Sequence, residues 1–398
     1  MPLKCLDKRG NTITLTLKDW SIDNALATAL LYDEINDIDY TLNYPFPVLE
    51  SEDYNNSKLF LFKNRFGSKE DHCFEINVNK KRHGIIFPVK VFLDPTTTPP
   101  PTTSASIKAL YGYFHVAFYQ LLTGANDLNN TTKVVDLDNN ALSIVDFYDE
   151  ETVVFLNYSP PNNINNIENY LPSFFSFGYV PINKTTDYNE IHIYQHLSSD
   201  KHPLYEKNLL DKLSIKEVTS LIIQEKYIIQ IFSSTLKFTL TPYSRFLLLY
   251  QVIELLINKL ALEYYSINNP FNPDLNLLID ASNTSNSFFD LKNFLTDIKK
   301  KIDHSTENVS AEIKRINKLF IDKCSLQKID YLDFVNSTNL ILENKDYEFI
   351  HEYVYYTRNK IVHDYHTLSI TIPEIDNVIA EANFSFEKII TDIVISHP

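Results

Sequence analysis

The chain has 398 residues, a formal charge of −15 at pH 7 and a hydrophobic share of 44%. That length suits two domains or three, and the apolar share supports a sizeable core. The acidic balance excludes a surface that binds nucleic acid everywhere, so any RNA contact must be local, where cations meet phosphate. Cys5, Cys73 and Cys324 form no CxxC pair and no metal-ligand spacing, which points to a reducing cytoplasm and to no metal or other cofactor. The first nine residues are too polar for a signal peptide. The apolar window 246–262 is broken by Gln251, Glu254, Asn258 and Lys259, short of the ~18 to 20 apolar residues of a membrane span.

In chain order, residues 12–17 (TITLTL) alternate with period two and read as a strand, as do 59–62, 73–78 and 85–92. Residues 94–106 (DPTTTPPPTTSAS) hold four prolines, which join neither a helix nor a central strand, and read as an exposed loop. Residues 107–122 read as an amphipathic helix ended by Gly124, and 153–158, 174–180 and 190–194 as further strands. Residues 1–202 are therefore expected to form an α+β domain with antiparallel strands.

After a connecting helical segment at 203–240, apolar residues recur at three- and four-residue spacing. The expected helices span 215–232, 243–265, 288–302, 311–320, 326–342, 346–362 and 375–395. Pro242 and Pro373 sit where a helix start tolerates a missing amide. Residues 241–398 thus read as an all-α antiparallel bundle.

The chemically informative segment is 351–366, HEYVYYTRNKIVHDYH. Arg358 precedes His363 by five positions, about 140° around an ideal helix, so they do not share one stripe, though a helix end or kink can converge them. An imidazole with an ordinary pKa near ~6.5 moves protons, and a guanidinium stabilises charge on phosphoryl oxygens. Together they suit RNA cleavage by the substrate's own 2′-OH, without metal. Spacing alone is weak evidence in a chain with 11 His. Arginine, however, is rare beside lysine: Arg9, Arg65, Arg82, Arg245, Arg315 and Arg358 are all there are. An Arg chosen over Lys points to a need for its planar fork.

The string Arg358-Asn359-Lys360-Ile361-Val362-His363 resembles the signature of the HEPN superfamily: Arg, a polar residue, a few residues, then His, late in a helical bundle. Residues 243–256 (YSRFLLLYQVIELL) resemble the early helix of its abortive-infection and anti-phage branch, the ApeA-like proteins. The resemblance covers about residues 240–395. It implies a HEPN-like bundle that dimerises, with Arg358 and His363 of two subunits facing each other to cut single-stranded RNA. It also implies that Asn359 orients the site, that Glu254 and Arg245 support it, and that Lys360 touches phosphate. Tyr365 completes Arg-x4-His-x-Tyr, a position nucleotidylated in some HEPN toxins. The expected protein is a cytoplasmic defence effector or toxin whose N-terminal domain answers a phage or cellular trigger.

Plainer readings stand beside these. Glu254 suits an exposed or capping charge, Arg245 a surface residue or the partner of an acid, Lys360 a solvated cation, and Tyr365 packing at a helix end. Tyr353, Tyr355 and Tyr356 suit base stacking, a core or a dimer interface. The lysines at 299–301 with Lys314, Arg315, Lys318 and Lys323 suit RNA attraction or a solvated face, since acids are interleaved. His363-Asp364 also spells the HD pair of metal-dependent phosphohydrolases, with Asp303 and His304 as partial further ligands. A third alternative is a HEPN-like module without catalysis, serving interaction or dimerisation.

Overall fold

The computed structural model describes residues 3–23, 26–48, 57–69, 72–93, 105–123, 134–137, 141–158, 164, 166–182, 204, 207–219, 222–223, 225–236, 241–268 and 326–396. They fall into two compact units. The first comprises Met1–Glu217 with Phe232–Phe238, and the second Val218–Ile231 with Thr239–Pro398.

The first unit is β-rich. Strands β1 (Leu3–Leu6), β2 (Thr12–Asp23), β3 (Leu26–Asp33), β4 (Ile38–Asn43) and β8 (Ala141–Leu142) make a five-stranded sheet in that order. In β2, Ile13 and Leu15 are buried while their neighbours are not, the alternation of a sheet covered on one face. The second sheet is six-stranded, ordered β10 (Tyr179–Pro181), β5 (Ser57–Asn64), β9 (Thr152–Tyr158), β7 (Lys81–Pro88), β6 (Phe74–Val78) and β11 (Lys212–Ser214). Its central strands are buried in unbroken runs: Val153 through Asn157, and Ile85 through Phe87, are each at most 1% exposed. Such runs mark a sheet covered on both faces. Gly84 of β7 lies so close to β9 that an added Cβ would stand 2.0 Å from the Leu156 carbonyl oxygen. Only glycine fits there.

Helix α1 (Ala105–Thr123) supplies the cover. It touches β2 of one sheet and β5 and β9 of the other. Leu110, Tyr111, Phe114, Val116, Ala117, Phe118, Leu121 and Leu122 are buried on all its sides, as a helix between layers requires. The abundant aromatics fill this space: Phe87 and Phe114 centroids lie 4.6 Å apart, and Phe46 stacks on Tyr111 at 5.0 Å. Their polar ends are satisfied by the helix backbone, with Tyr44 Oη donating to the Tyr111 carbonyl and Tyr148 Oη to that of Leu121, both at 2.8 Å.

Several expectations are corrected in this unit. Residues 174–180 are not one strand, because helix α2 (Leu171–Ser176) precedes β10, and Gly178 at φ +87° makes the turn between them. Residues 89–92 form a 3-10 turn beyond β7. The sheets are not wholly antiparallel, since β4 pairs with β8, and β6 with β11, in parallel. The segment 203–240 holds the strand β11 as well as a helix, α3 (Lys226–Gln230), which continues as a π-helical turn over Ile231–Thr235. Residues 94–104, Gly124, 190–194 and the expected helices at 288–302 and 311–320 lie outside the described residues.

The second unit is helical. Helices α4 (Pro242–Asn268), α5 (Leu332–Thr338), α6 (Ile350–Thr371) and α7 (Ile375–Ser396) pack so that α4 and α5 each touch both α6 and α7. The buried stripes follow helical spacing: Phe246, Leu249, Ile253 and Leu256 on α4, and Ile379, Ala382, Phe386, Ile390 and Ile393 on α7. Phe386 stacks on Phe246 at 4.8 Å and on Phe334 at 5.4 Å, joining α4, α5 and α7. An α+β region followed by helices is therefore what the structure shows.

One buried group ties the first unit's stability to pH. His115 of α1 is 2% exposed, stacked on Trp20 at 5.5 Å and beside Tyr44 at 5.3 Å. Burial pushes its imidazole down to about 4. A depressed histidine stabilises the fold fully above its ordinary value of ~6.5, and that contribution is lost as pH falls toward 4, about 1.4 kcal/mol per pH unit. Urea unfolding at pH 7 and pH 4.5 should show His115→Phe losing about 2 to 3 kcal/mol less than wild type across this window.

Candidate functional site

Helix α6 positions the motif. It starts at Phe349, whose amide donates to Glu352 Oε2 at 3.1 Å, and stops at Thr371 because Ile372 takes the extended geometry that precedes Pro373. Between these ends it runs uninterrupted through Arg358 and His363. The end or kink that would converge them is absent. Within one chain they leave the helix about 140° apart, as ideal geometry dictates.

Arg358 leans toward α4. Its Nη2 lies 3.7 Å from Glu254 Oε1, and its guanidinium carbon is 5.4 Å from the Tyr250 ring centroid. Its Nη1 donates to Asn359 Oδ1 at 3.2 Å. The structure thus brings Glu254 and Asn359 to Arg358. Burial, and then the charge of Glu254, push the Tyr250 phenol well above its ordinary range, so it stays neutral beneath the cation.

His363 stands exposed on another side of α6. It lines an open hollow of about 250 Å³ with Leu342, Lys345, Tyr347, Tyr356, Asn359, Lys360 and Asp364. Asn359 therefore belongs to both surroundings, touching Arg358 and bordering the hollow. The Lys360 ammonium is shared by Glu343 at 2.7 Å and Asp364 at 3.3 Å. Those two acids raise its pKa, Glu343 foremost, so it is a permanent cation already engaged by acids.

Arg245 is placed elsewhere. Its Nε and Nη2 both lie 2.5 Å from Glu387 Oε1 of α7, with the two side chains 3% and 5% exposed. It is the buried partner of an acid and joins α4 to α7, as does the Asn383 amide donating to the Pro242 carbonyl at 2.7 Å. Tyr365 packs edge-on against Tyr243 at 5.1 Å and donates to Asp376 Oδ1 at 2.8 Å. That hydrogen bond raises its phenol pKa, and modification of the hydroxyl would have to break it.

Of the tyrosine run, Tyr353 is 1% exposed and belongs to the core, whereas Tyr355 and Tyr356 are 48% and 41% exposed. Tyr250 and Tyr347 went unnoticed in the sequence. Tyr250 had a signal, since it lies one turn before Glu254 on the same stripe of α4. Tyr347 had none, because it lies before α6 and meets Tyr356 only through the path of the chain. Asp364 of the HD pair is held by Lys360, and among the described residues no three His, Cys, Asp or Glu side chains stand close enough to share a metal. Asp303, His304 and the basic cluster at 299–323 lie outside the described residues.

The two arginine pairs should respond differently to truncation. Arg245→Met leaves Glu387 charged and buried, and should cost about 3 to 5 kcal/mol in urea unfolding. Removing both partners (Arg245→Met with Glu387→Leu) should recover most of that loss. Arg358 and Glu254 are 29% and 35% exposed, so solvent screens their longer pair, and Arg358→Ala should cost about 1 kcal/mol or less. No protein-family model matches this chain, and comparison with curated proteins and with solved structures finds no match.

Proposed function

We propose that the helical unit is a HEPN-type endoribonuclease that cleaves single-stranded RNA without metal. The observation that supports this reading best is the divided setting of one motif. Arg358 is steadied by Glu254 and Asn359, while His363, five residues on, faces an open hollow with lysines and tyrosines at its rim. A steadied guanidinium stabilises phosphoryl charge without reorganising, and an accessible imidazole reaches a proton. The 2′-oxygen forms a bond to phosphorus as the P–O5′ bond breaks. The 2′-OH proton leaves through a histidine and the 5′-oxygen gains one, giving a 2′,3′-cyclic phosphate and a 5′-OH.

Because α6 sets Arg358 and His363 about 140° apart, one chain does not close this site alone. In the proposed enzyme a second copy brings its α6 opposite the first, so that an arginine and a histidine from each line one cleft. The β-rich unit would hold the activity back until a phage or cellular trigger engages it. Among the described residues no helix is long and apolar enough to cross a membrane, which suits a protein acting on cytoplasmic RNA.

A second reading is favoured by the Glu254–Arg358 pair and the charge of −15: a HEPN-like bundle that mediates dimerisation and no longer cuts RNA. Purified wild type, Arg358→Ala and His363→Ala incubated with total RNA in EDTA separate the two. Wild type should cleave, and each variant should fall by about 100-fold or more. Equal cleavage by all three, or none by wild type with its trigger present, would overturn the nuclease reading. Cleavage abolished by EDTA would move it to a metal-dependent phosphohydrolase.

A further inference from the structure

The hollow beside His363 has features that acid–base chemistry does not require. Tyr347 and Tyr356 stack there, 4.7 Å apart and 18° from parallel, with Tyr355 edge-on to Tyr356 at 5.3 Å. The pair is held from behind. Lys328 Nζ donates to the Tyr347 carbonyl at 2.7 Å and pairs with Asp346 at 2.6 Å. Tyr353 Oη donates to Asp346 and accepts from the Tyr347 amide. The corner at 346–347 is thus locked onto α6, and the Tyr347 ring is presented rather than left to wander. Tyr356 nonetheless keeps 41% of its surface exposed, at the edge of a hollow that also holds Asn359 and His363.

We infer that this hollow seats one unpaired nucleobase of the RNA, stacked on the Tyr347–Tyr356 pair, with its flanking phosphate on Lys345. The inference rests on the ribonuclease reading and deepens it by naming where the substrate is gripped. Three observations carry it. A preformed aromatic pair with one ring, Tyr356, 41% exposed is the kind of platform on which bases of any sequence stack. At about 250 Å³ the hollow lies just below the ~300 Å³ at which pockets for larger ligands begin, which suits a group the size of one base. Of its two lysines, Lys360 is already engaged by Glu343 and Asp364, so stacking rather than a strong anion trap must supply the grip. A base inside a duplex has both faces covered and cannot use such a platform, which selects single-stranded RNA. Asn359, whose Oδ1 accepts from Arg358, has its amide donors left for a base edge or phosphate, linking the seat to the arginine.

The probe is a fluorescein-labelled single-stranded 2′-O-methyl RNA of mixed sequence, which lacks the attacking hydroxyl and stays intact. Its affinity for the full chain is measured by anisotropy at several salt concentrations. Tyr356→Ala should weaken binding about tenfold, while Tyr356→Phe, which keeps the ring, should stay within about twofold of wild type. Lys345→Ala should lower the slope of log affinity against log salt by about 1. The duplex form of the same probe should bind more weakly than the single strand. Equal affinity of folded Tyr356→Ala and wild type overturns the seat. If His363-dependent cleavage then persists with an unchanged KM in Tyr356→Ala, only the seat has failed and the ribonuclease stands. Binding that depends on Tyr356 without any cleavage, the trigger being present, keeps the seat and overturns the ribonuclease.

Discussion

The buried ion pair between Arg245 and Glu387 fixes the register of the helical unit. A charged pair this well covered contributes little net stability against an apolar substitute, but each member is costly to leave alone. It therefore acts mainly as a key: α4 docks on α7 where the guanidinium meets the carboxylate, and Phe246 then meets Phe386. The consequence reaches the candidate site. Glu254 follows Arg245 by nine residues, which at ~100° each turns it to the opposite side of α4. A helix that commits Arg245 to α7 thereby offers Glu254 and Tyr250 to α6, where Arg358 waits. Two cations of similar chemistry acquire different work, one holding the bundle together and the other held at its surface.

The motif helix repeats this division of faces. Tyr353, Thr357 and Ile361 descend into the core at four-residue steps and leave Arg358 beside them, half-buried. Asn359 and His363, also four apart, share the other side and open on the hollow. Asn359 is the hinge between the two sides, because its amide accepts from Arg358 while its position borders the histidine. An aspartate there would pair with the arginine and bring a negative charge toward the phosphate of the proposed RNA substrate. A neutral amide orients the guanidinium without that repulsion.

Much of this was legible in the sequence where the signal is local. The period-two run at 12–17 and the apolar run at 153–158 lie in β2 and β9, and the three- and four-residue spacing at 243–265, 346–362 and 375–395 marks α4, α6 and α7. The division of the chain into a β-rich part and a helical part followed from the change in period. Where pairing is distant, the sequence was silent. The three residues of β11 are a strand only because Phe74–Val78 lies alongside, and Phe174 joins a helix because α2 turns at Gly178. The site divides likewise. Asn359, His363 and Glu254 stood out through the resemblance of their helices, spacing alone being weak evidence. The partner of Arg245 is 142 residues away, and the stack of Tyr347 on Tyr356 depends on a turn that no periodicity encodes.

The proposed chemistry makes the RNA's own 2′-hydroxyl the attacking group, assisted by Arg358 and His363. The most direct measurement is the identity of the ends that wild-type protein leaves on a defined single-stranded RNA, compared with the same RNA carrying one 2′-deoxy nucleotide at the cleaved position. The account predicts a 2′,3′-cyclic phosphate and a 5′-OH from the first, and no cut at that position in the second. A 3′-OH with a 5′-phosphate, or a cut that ignores the missing hydroxyl, would contradict it.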